Sequence, residues 1–236
     1  MVFADINREL IDKLNRSGEY KVIVKSEAGD EVIRVGNVRG LNICDSAEVA
    51  GELSEASIAA ISVGQHGLPA VIPIIAEALL LRKQKFGNWA LDIIIAENMR
   101  NADQYLMNEL SKLIPSGLVN ELAGLVETSI GKMVPIMTRK DTEDDPLQVF
   151  AEPYNNLIVS KNGFKNPVPD IEFLSPKENI KAWVDRKLFI HNLGHATAAY
   201  LGYLLKPEAI YLCEVLESFE VYETTRLAML QSADIL

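Results

Sequence analysis

Two short, almost unbroken apolar runs, Ile58 to Val63 and Leu91 to Ala96, flank a longer apolar stretch from Ala70 to Arg82 that follows a Gly/Pro loop and ends at a polar turn, Gly87-Asn88. Continuous apolar strands around an apolar helix predict a βαβ unit with parallel strands. At the start of the chain, Val2-Phe3-Ala4 reads as the end of a buried strand, and Asp5-Ile6-Asn7 leads into a helix through about Leu14. Tyr20 to Val35 alternates around Gly29, as an antiparallel hairpin does. Helical spacing returns in Tyr105, Met107, Leu110 and Leu113 and stops at Pro115-Ser116-Gly117. Val134 to Thr138, Gln148 to Glu152 and Asn156 to Val159 are short β-like runs around the acidic segment Asp141 to Pro146, whose charge density and proline suit a solvated connection rather than a metal site. The pattern changes at Ser175-Pro176, where a Ser cap, Pro in the first turn and Glu178 three residues after the cap predict a helix start. Most of the remainder to Leu236 reads as helix, broken near Lys206-Pro207. The expected organisation is an α/β domain over 1–175 and a mostly α-helical part over 176–236.

Composition narrows the function classes. The 236 residues carry a formal charge of −10, with 33 Asp plus Glu against 23 Lys plus Arg. That balance disfavours nucleic acid, whose binders neutralise phosphate with a basic face, and disfavours an anionic membrane surface for the same reason. Cys44 and Cys213 stand far apart without metal-ligand spacing, so neither a zinc site nor a disulfide framework is expected. Apolar runs are interrupted well before the roughly 18 residues of a membrane span, and no signal-peptide pattern is present. A cytoplasmic location is expected.

Candidate chemistry lies on the helix through Lys187. At about 100° per residue from Lys187, His191 falls near 40°, His195 near 80° and Asn192 near 140°, while Phe189, Ile190 and Leu193 take the other side. By spacing alone the arc is either a solvated stripe or a site. Its His, Asn and Gly194 are poorer helix formers than an exposed face usually carries, which favours a site. A lysine serves as a general base when burial or a neighbouring cation lowers its pKa, and an asparagine amide can hold an alcohol or carbonyl oxygen beside it. Base, oxygen holder and second donor suit carbonyl/alcohol interconversion.

Lys187-x4-Asn192-x2-His195, inside Arg-Lys-Leu-Phe-Ile-His-Asn-Leu-Gly-His-Ala, resembles the signature of the polyol-specific long-chain dehydrogenases, the mannitol dehydrogenase family. The resemblance extends in order through Phe3-Ala4-Asp5-Ile6-Asn7, Val63-Gly64, Ile95-Ala96-Glu97-Asn98-Met99, Val134-Pro135 and Asp145-Pro146-Leu147, and is strongest to the branch acting on mannitol 1-phosphate. It implies a Rossmann-type doubly wound sheet and metal-independent hydride transfer between NAD and a small-molecule polyol or sugar phosphate, here mannitol 1-phosphate and fructose 6-phosphate. Lys187 would be the acid/base, and Asn192 and His195 would bind and polarise the reacting oxygen. Asn98 would lie near the reacting centre, touching substrate and cofactor at the carboxyl end of its strand. Asp5 would accept the ribose hydroxyls of NAD, and Val63 and Gly64 would let the cofactor approach the backbone. Free mannitol 2-dehydrogenase and hexuronate reductase activities are the nearest alternatives, separated by whether basic residues face the far end of the substrate.

Two departures matter. GxGxxG should precede Asp5 by about 20 residues, and none of the 14 glycines forms it. The Rossmann-type sheet is therefore expected to be incomplete, lacking its first strand and phosphate loop, and the chain to be truncated at both ends. Without those backbone donors this polypeptide is expected to bind NAD weakly and turn over little. Gly131, in Ile130-Gly131-Lys132-Met133-Val134-Pro135, stands where the family pattern leads to an acidic residue, which bears on substrate preference. A non-catalytic remnant acting as an interaction protein is the alternative of another class, and it would expose apolar surface and self-associate.

Overall fold

The computed structural model describes residues 1–236. In chain order the first elements are β1 (Val2–Asp5), α1 (Arg8–Ser17), β2 (Glu19–Ser26), β3 (Gly29–Gly36), β4 (Arg39–Asn42) and α2 (Ser46–Glu55). Next come β5 (Ile58–Ile61), α3 (Leu68–Phe86), β6 (Leu91–Ile95), α4 (Ala102–Leu110), α5 (Ser116–Leu122) and β7 (Ala123–Ile130). They are followed by β8 (Val149–Ala151), β9 (Leu157–Ser160), a 3-10 turn (Lys161–Gly163) and β10 (Leu174–Lys177). The last stretch holds α6 (Ile180–Arg186), a π turn (Lys187–His191), α7 (Asn192–Leu205), α8 (Leu212–Leu216) and α9 (Phe219–Ile235). The chain divides into two compact units, Met1–Glu178 and Asn179–Leu236.

In the first unit β5, β6 and β7 run parallel, with Ile61 opposite Ile95 and Ile95 opposite Glu127. The expected βαβ unit is therefore present. β9 joins β7 antiparallel and β10 joins β9 parallel, giving the order β10-β9-β7-β6-β5. Odd-numbered side chains of β6 and β7, such as Leu91, Ile93, Ile95 and Leu125, meet Leu68, Ile72, Ile75 and Leu79 of α3 and Leu106 and Leu110 of α4. Ile94, Val126 and Val159 face the opposite way, against Phe164 and Leu174. α3 is entered through Pro69 at its first turn, where a missing N–H costs nothing, and closes with Lys83 and Lys85 at the negative end of the helix dipole.

The parallel strands do not form one continuous sheet. β1 pairs only with β4, in a two-stranded parallel ribbon packed by Leu41, Val49, Ala50, Ile74 and Ala78. The hairpin of β2 and β3 turns at Glu27-Ala28-Gly29 and takes β8 as a third strand.

Several expectations are corrected. Val2–Asp5 is a strand, but Phe3, Ala4 and Asp5 are exposed rather than buried, because β4 supplies a neighbour on one edge only. Val134 to Thr138 is not a strand. The acidic segment is tethered as well as solvated: Asp145 pairs with Lys21 at 2.8 Å and so ties the chain before β8 to β2. Lys21, by hydrogen bond, holds the Asp145 carboxyl below the usual carboxylate range. Ser175-Pro176 does not start a helix. Both residues lie in β10, and the helix cap is Asn179, whose side chain accepts from the Ala182 N–H at 3.4 Å. Proline is tolerated in β10 because that strand is at the sheet edge.

The second unit is helical. α7 approaches α8 closely at Gly202, where a Cβ would stand 2.6 Å from Val215 Cβ, and α9 at Gly194, where it would stand 2.5 Å from Met229 Sδ. Ala198, Val215 and Val221 form its small buried core.

Candidate functional site

Parallel strands end on the same side, and the loops that follow β5, β6 and β7 gather there. Three of the expected site residues meet in this place. Val63 and Gly64 leave β5, and Asn98 follows β6; all are exposed. Gly64 has φ +74°, a left-handed conformation that side chains disfavour. The Gln65 Nε2 amide donates to the Asn98 carbonyl at 2.8 Å, joining the two loops directly.

Two buried carboxylates shape these loops. Glu97, 6% exposed, accepts the Val63 N–H at 2.7 Å and the Gly64 N–H at 2.9 Å on one oxygen, Oε1. Glu127, 1% exposed, does the same one strand over, accepting the Asn101 N–H at 2.7 Å beside Thr128, whose hydroxyl donates to the Ile95 carbonyl. Asn101 itself is left-handed, with φ +58°. The amides of Val63 and Gly64 are therefore turned inward. Sequence reasoning gave neither glutamate a role, although Glu97, directly after an apolar strand, was a legible signal; Glu127 lies inside β7, a strand the sequence marks poorly.

Asp5 ends β1 on an exposed carboxylate. Its Oδ1 accepts the Asn7 N–H at 2.8 Å, while its carbonyl accepts from Ile43 and continues the β1–β4 ladder. Asn7, rather than Asp5, caps α1 by accepting the Leu10 N–H. That frees the second Asp5 oxygen from the capping role.

Lys187, Asn192 and His195 lie on the helical run of the second unit, and the local geometry corrects the simple helical wheel. The turn Lys187–His191 is π, with the Asn192 N–H donating to the Lys187 carbonyl five residues back. In an unbroken α-helix those two residues would sit about 140° apart. Five-residue hydrogen bonding widens the turn and draws the two closer around the axis, and His195, three residues on in α7, is the neighbour of Asn192 on the helix surface. The Ser232 hydroxyl of α9 donates to the Phe189 carbonyl at 2.6 Å, bracing the π turn. Lys187 is half-buried, and burial lowers its pKa from the ordinary lysine value. Asn192 is half-buried; His195 is exposed, its ring edge-on to His191 at 4.6 Å. Gly194, which sequence reasoning counted toward a site, is a buried packing contact against Met229.

The first 173 residues match the family model for the mannitol dehydrogenase Rossmann domain. The chain belongs to the mannitol dehydrogenase family. Asp5, Val63, Gly64 and Asn98 fall within that match, whereas Lys187, Asn192 and His195 lie beyond it. Mannitol-1-phosphate 5-dehydrogenase of Streptococcus pneumoniae is 31% identical over 204 residues, which is 85% of this chain and 53% of that protein. The enzyme of the same name from Lactiplantibacillus plantarum is 31% identical over 206 residues, 86% of this chain and 52% of its own. This member of the family thus spans about half the length of the curated relatives it matches. Its fold is that of a substrate-free D-sorbitol dehydrogenase, with TM-score 0.80, 15% identity and coverage of 95% of this chain and 56% of the other. A Pseudomonas fluorescens mannitol 2-dehydrogenase, solved with NAD and D-mannitol, superposes with TM-score 0.76 and 17% identity, covering 96% and 56%. Both likenesses show the Rossmann-type α/β fold with a helical C-terminal part. No helix is long and apolar enough to cross a membrane.

Proposed function

We propose that this chain carries the dinucleotide-binding scaffold and acid/base residues of an NAD-dependent polyol dehydrogenase, interconverting mannitol 1-phosphate and fructose 6-phosphate. The observation that carries the reading is that half-buried Lys187 and Asn192 lie on one helical run with His195, linked through the π turn. Relatives named mannitol-1-phosphate 5-dehydrogenase support the substrate class.

Lys187, with its pKa lowered by burial, takes the hydroxyl proton of the alcohol in its neutral form and returns it to the ketone in the reverse direction. Asn192 donates its amide to the same oxygen and fixes it in line with the amine, and His195 supplies a second donor as charge develops there. The chemistry a bound nicotinamide supplies is that of a two-electron hydride acceptor. No metal is required, because the amine and amide provide the polarisation.

The residues present suit parts of that cofactor. Asp5, an exposed acceptor at the end of a parallel strand, fits ribose hydroxyls and repels the additional phosphate of NADP. The exposed Val63, Gly64 and Asn98 suit the nicotinamide end. A pyrophosphate cradle is a different matter: the amides of Val63 and Gly64 are spent on Glu97, and no GxGxxG is present. This polypeptide alone is therefore expected to bind NAD weakly and to be a poor catalyst.

The test is NADH oxidation by the natural polypeptide containing this chain, offered fructose 6-phosphate, free fructose or a hexuronate. The phosphorylated ketose is expected to turn over fastest, and Lys187→Ala to abolish turnover at neutral pH. Unchanged turnover of the variant across pH removes Lys187 from the acid/base role. Preference for free fructose or a hexuronate overturns the phosphate assignment in favour of a 2-dehydrogenase or a hexuronate reductase.

One observation favours a second reading, a non-catalytic protein that self-associates. Tyr200 (78%), Ile210 (83%) and Phe219 (79%) stand exposed in the second unit, more apolar surface than a solitary helical unit usually shows. Concentration-dependent association by size exclusion, together with no NADH turnover, is the outcome this reading requires.

A further inference from the structure

We propose that Glu97 is the positioning residue of the strand-end crevice, its carboxylate setting where Gly64 and Asn98 stand for a nicotinamide dinucleotide, with Glu127 serving the next loop in the same way. The inference deepens the function proposed above and rests on it.

Both carboxylates reach the same way across the sheet. Glu97, two residues past the end of β6, reaches sideways to backbone N–H groups of the loop that leaves β5, and Glu127, inside β7 opposite the last residue of β6, reaches the loop that leaves β6. Buried charge is costly unless hydrogen-bonded, and these glutamates are almost wholly buried while accepting short bonds of 2.7 to 2.9 Å. A buried anion that loses its donors is penalised, so the loop is held to the one path that keeps them in place. For the β5 loop the hold falls on Gly64, which without a Cβ can take either hand, so the bond to Glu97 helps select its left-handed φ.

A second consequence follows for ligand recognition. With the Val63 and Gly64 amides facing Glu97, the surface this loop offers consists of its side chains, its carbonyls and the Gln65 amide that donates to the Asn98 carbonyl. Glu97 thereby controls Asn98 through Gly64-Gln65 without itself touching a ligand. It is a positioning residue, and a variant that frees the loop should disturb Gly64 and Asn98 together.

The experiment is amide hydrogen exchange with NADH titration, followed by NMR, on the 236-residue chain and on Glu97→Ala, Glu97→Gln and Glu127→Ala. Both amides bond to a single glutamate oxygen, so the glutamine amide oxygen can replace it. Glu97→Ala is expected to speed exchange at Val63 and Gly64 by about tenfold or more, the scale of losing a charge-assisted hydrogen bond, and to weaken NADH-induced shifts at Gly64 and Asn98. Glu97→Gln should retain most of the protection and most of the shifts. Glu127→Ala should speed exchange at Asn101 and leave Val63 and Gly64 unchanged, which a general loss of stability would not do. Exchange at Val63 and Gly64 within about twofold of the unsubstituted chain in Glu97→Ala overturns the proposal. So does an unaltered NADH response in a variant whose loop has been freed. Absence of any NADH response in the unsubstituted chain overturns the dinucleotide reading, while the exchange rates still decide whether Glu97 holds the loop.

Discussion

Arg82 is the most demanding buried group in the first unit, and replacing it tests how that unit is held. Its side chain is 0% exposed. Nε donates to the Trp89 carbonyl at 2.7 Å, Nη1 to the Ser54 and Ala56 carbonyls at 2.9 and 2.7 Å, and Nη2 to the Ala90 carbonyl at 3.1 Å. The guanidinium also lies 4.6 Å from the Trp89 ring centre. One side chain thus clips the end of α2 to the start of β6. Burial lowers its pKa, which the nearby Asp92 charge partly offsets. Arg82→Met keeps an apolar stem and leaves the Trp89, Ser54 and Ala56 carbonyls without their donor, while Ala90 keeps the Asn166 amide at 3.0 Å. A buried acceptor deprived of its partner costs about 1–3 kcal/mol, and the second lone pair of a carbonyl argues for the low end, so the sum is about 3 kcal/mol. Relief from burying a charge returns part of this, leaving a net loss of roughly 2 kcal/mol, a large share of the 5–15 kcal/mol that stabilises an ordinary domain. With a urea dependence of about 2 kcal/mol per molar, the unfolding midpoint should fall by about 1 M. Tryptophan fluorescence in a Trp183→Phe background is the suitable probe, since Trp89 of the first unit is then the sole tryptophan. A fall of less than about 0.5 M at unchanged slope would refute the clip as a source of stability. Arg82→Lys, which keeps the charge but not the planar fork, should lie between the two.

Three further outcomes are expected. Lys187→Met should raise stability at neutral pH: with the folded-state pKa lowered, the unfolded chain binds the proton more readily, so the penalty of burying the ammonium is full below the lowered pKa and disappears as pH rises toward 10.5. Thermal melts of both forms from neutral to alkaline pH should therefore converge; a gap that widens with pH contradicts this sign. Asp5→Ala should reduce the preference for NAD over NADP by about tenfold or more, the value of a hydrogen bond to a charged group, as measured by paired binding isotherms. Gly202→Ala should cost about 1–3 kcal/mol by overpacking against Val215, and Val215→Ala in the same chain should recover part of it.

The βαβ core was legible because continuous apolar runs at β5 and β6 have few other uses. β7 was less visible although it is equally buried: α5 runs straight into it at Ala123 without a turn residue to mark the change. At Ser175-Pro176 a good local helix signal was overruled by pairing with β9, the usual way in which tertiary contacts defeat propensity. The spacing of Lys187, Asn192 and His195 and their shared arc were visible in sequence, but the π turn braced by Ser232 was not, since a period of 3.6 residues cannot reveal it.

By itself the sequence determined the acidic balance, the α/β and helical parts, the family resemblance and the residue types at each candidate position, because these follow from composition, local periodicity and ordered motifs. Only the tertiary structure decided that Glu97 and Glu127 reach across to neighbouring loops, that the Val63 and Gly64 amides turn inward, and that Gly194 serves packing. Each of those depends on which residue, distant in sequence, occupies the space opposite. A hydrogen bond spanning some 34 positions, such as that from Val63 to Glu97, leaves no periodic trace along the chain.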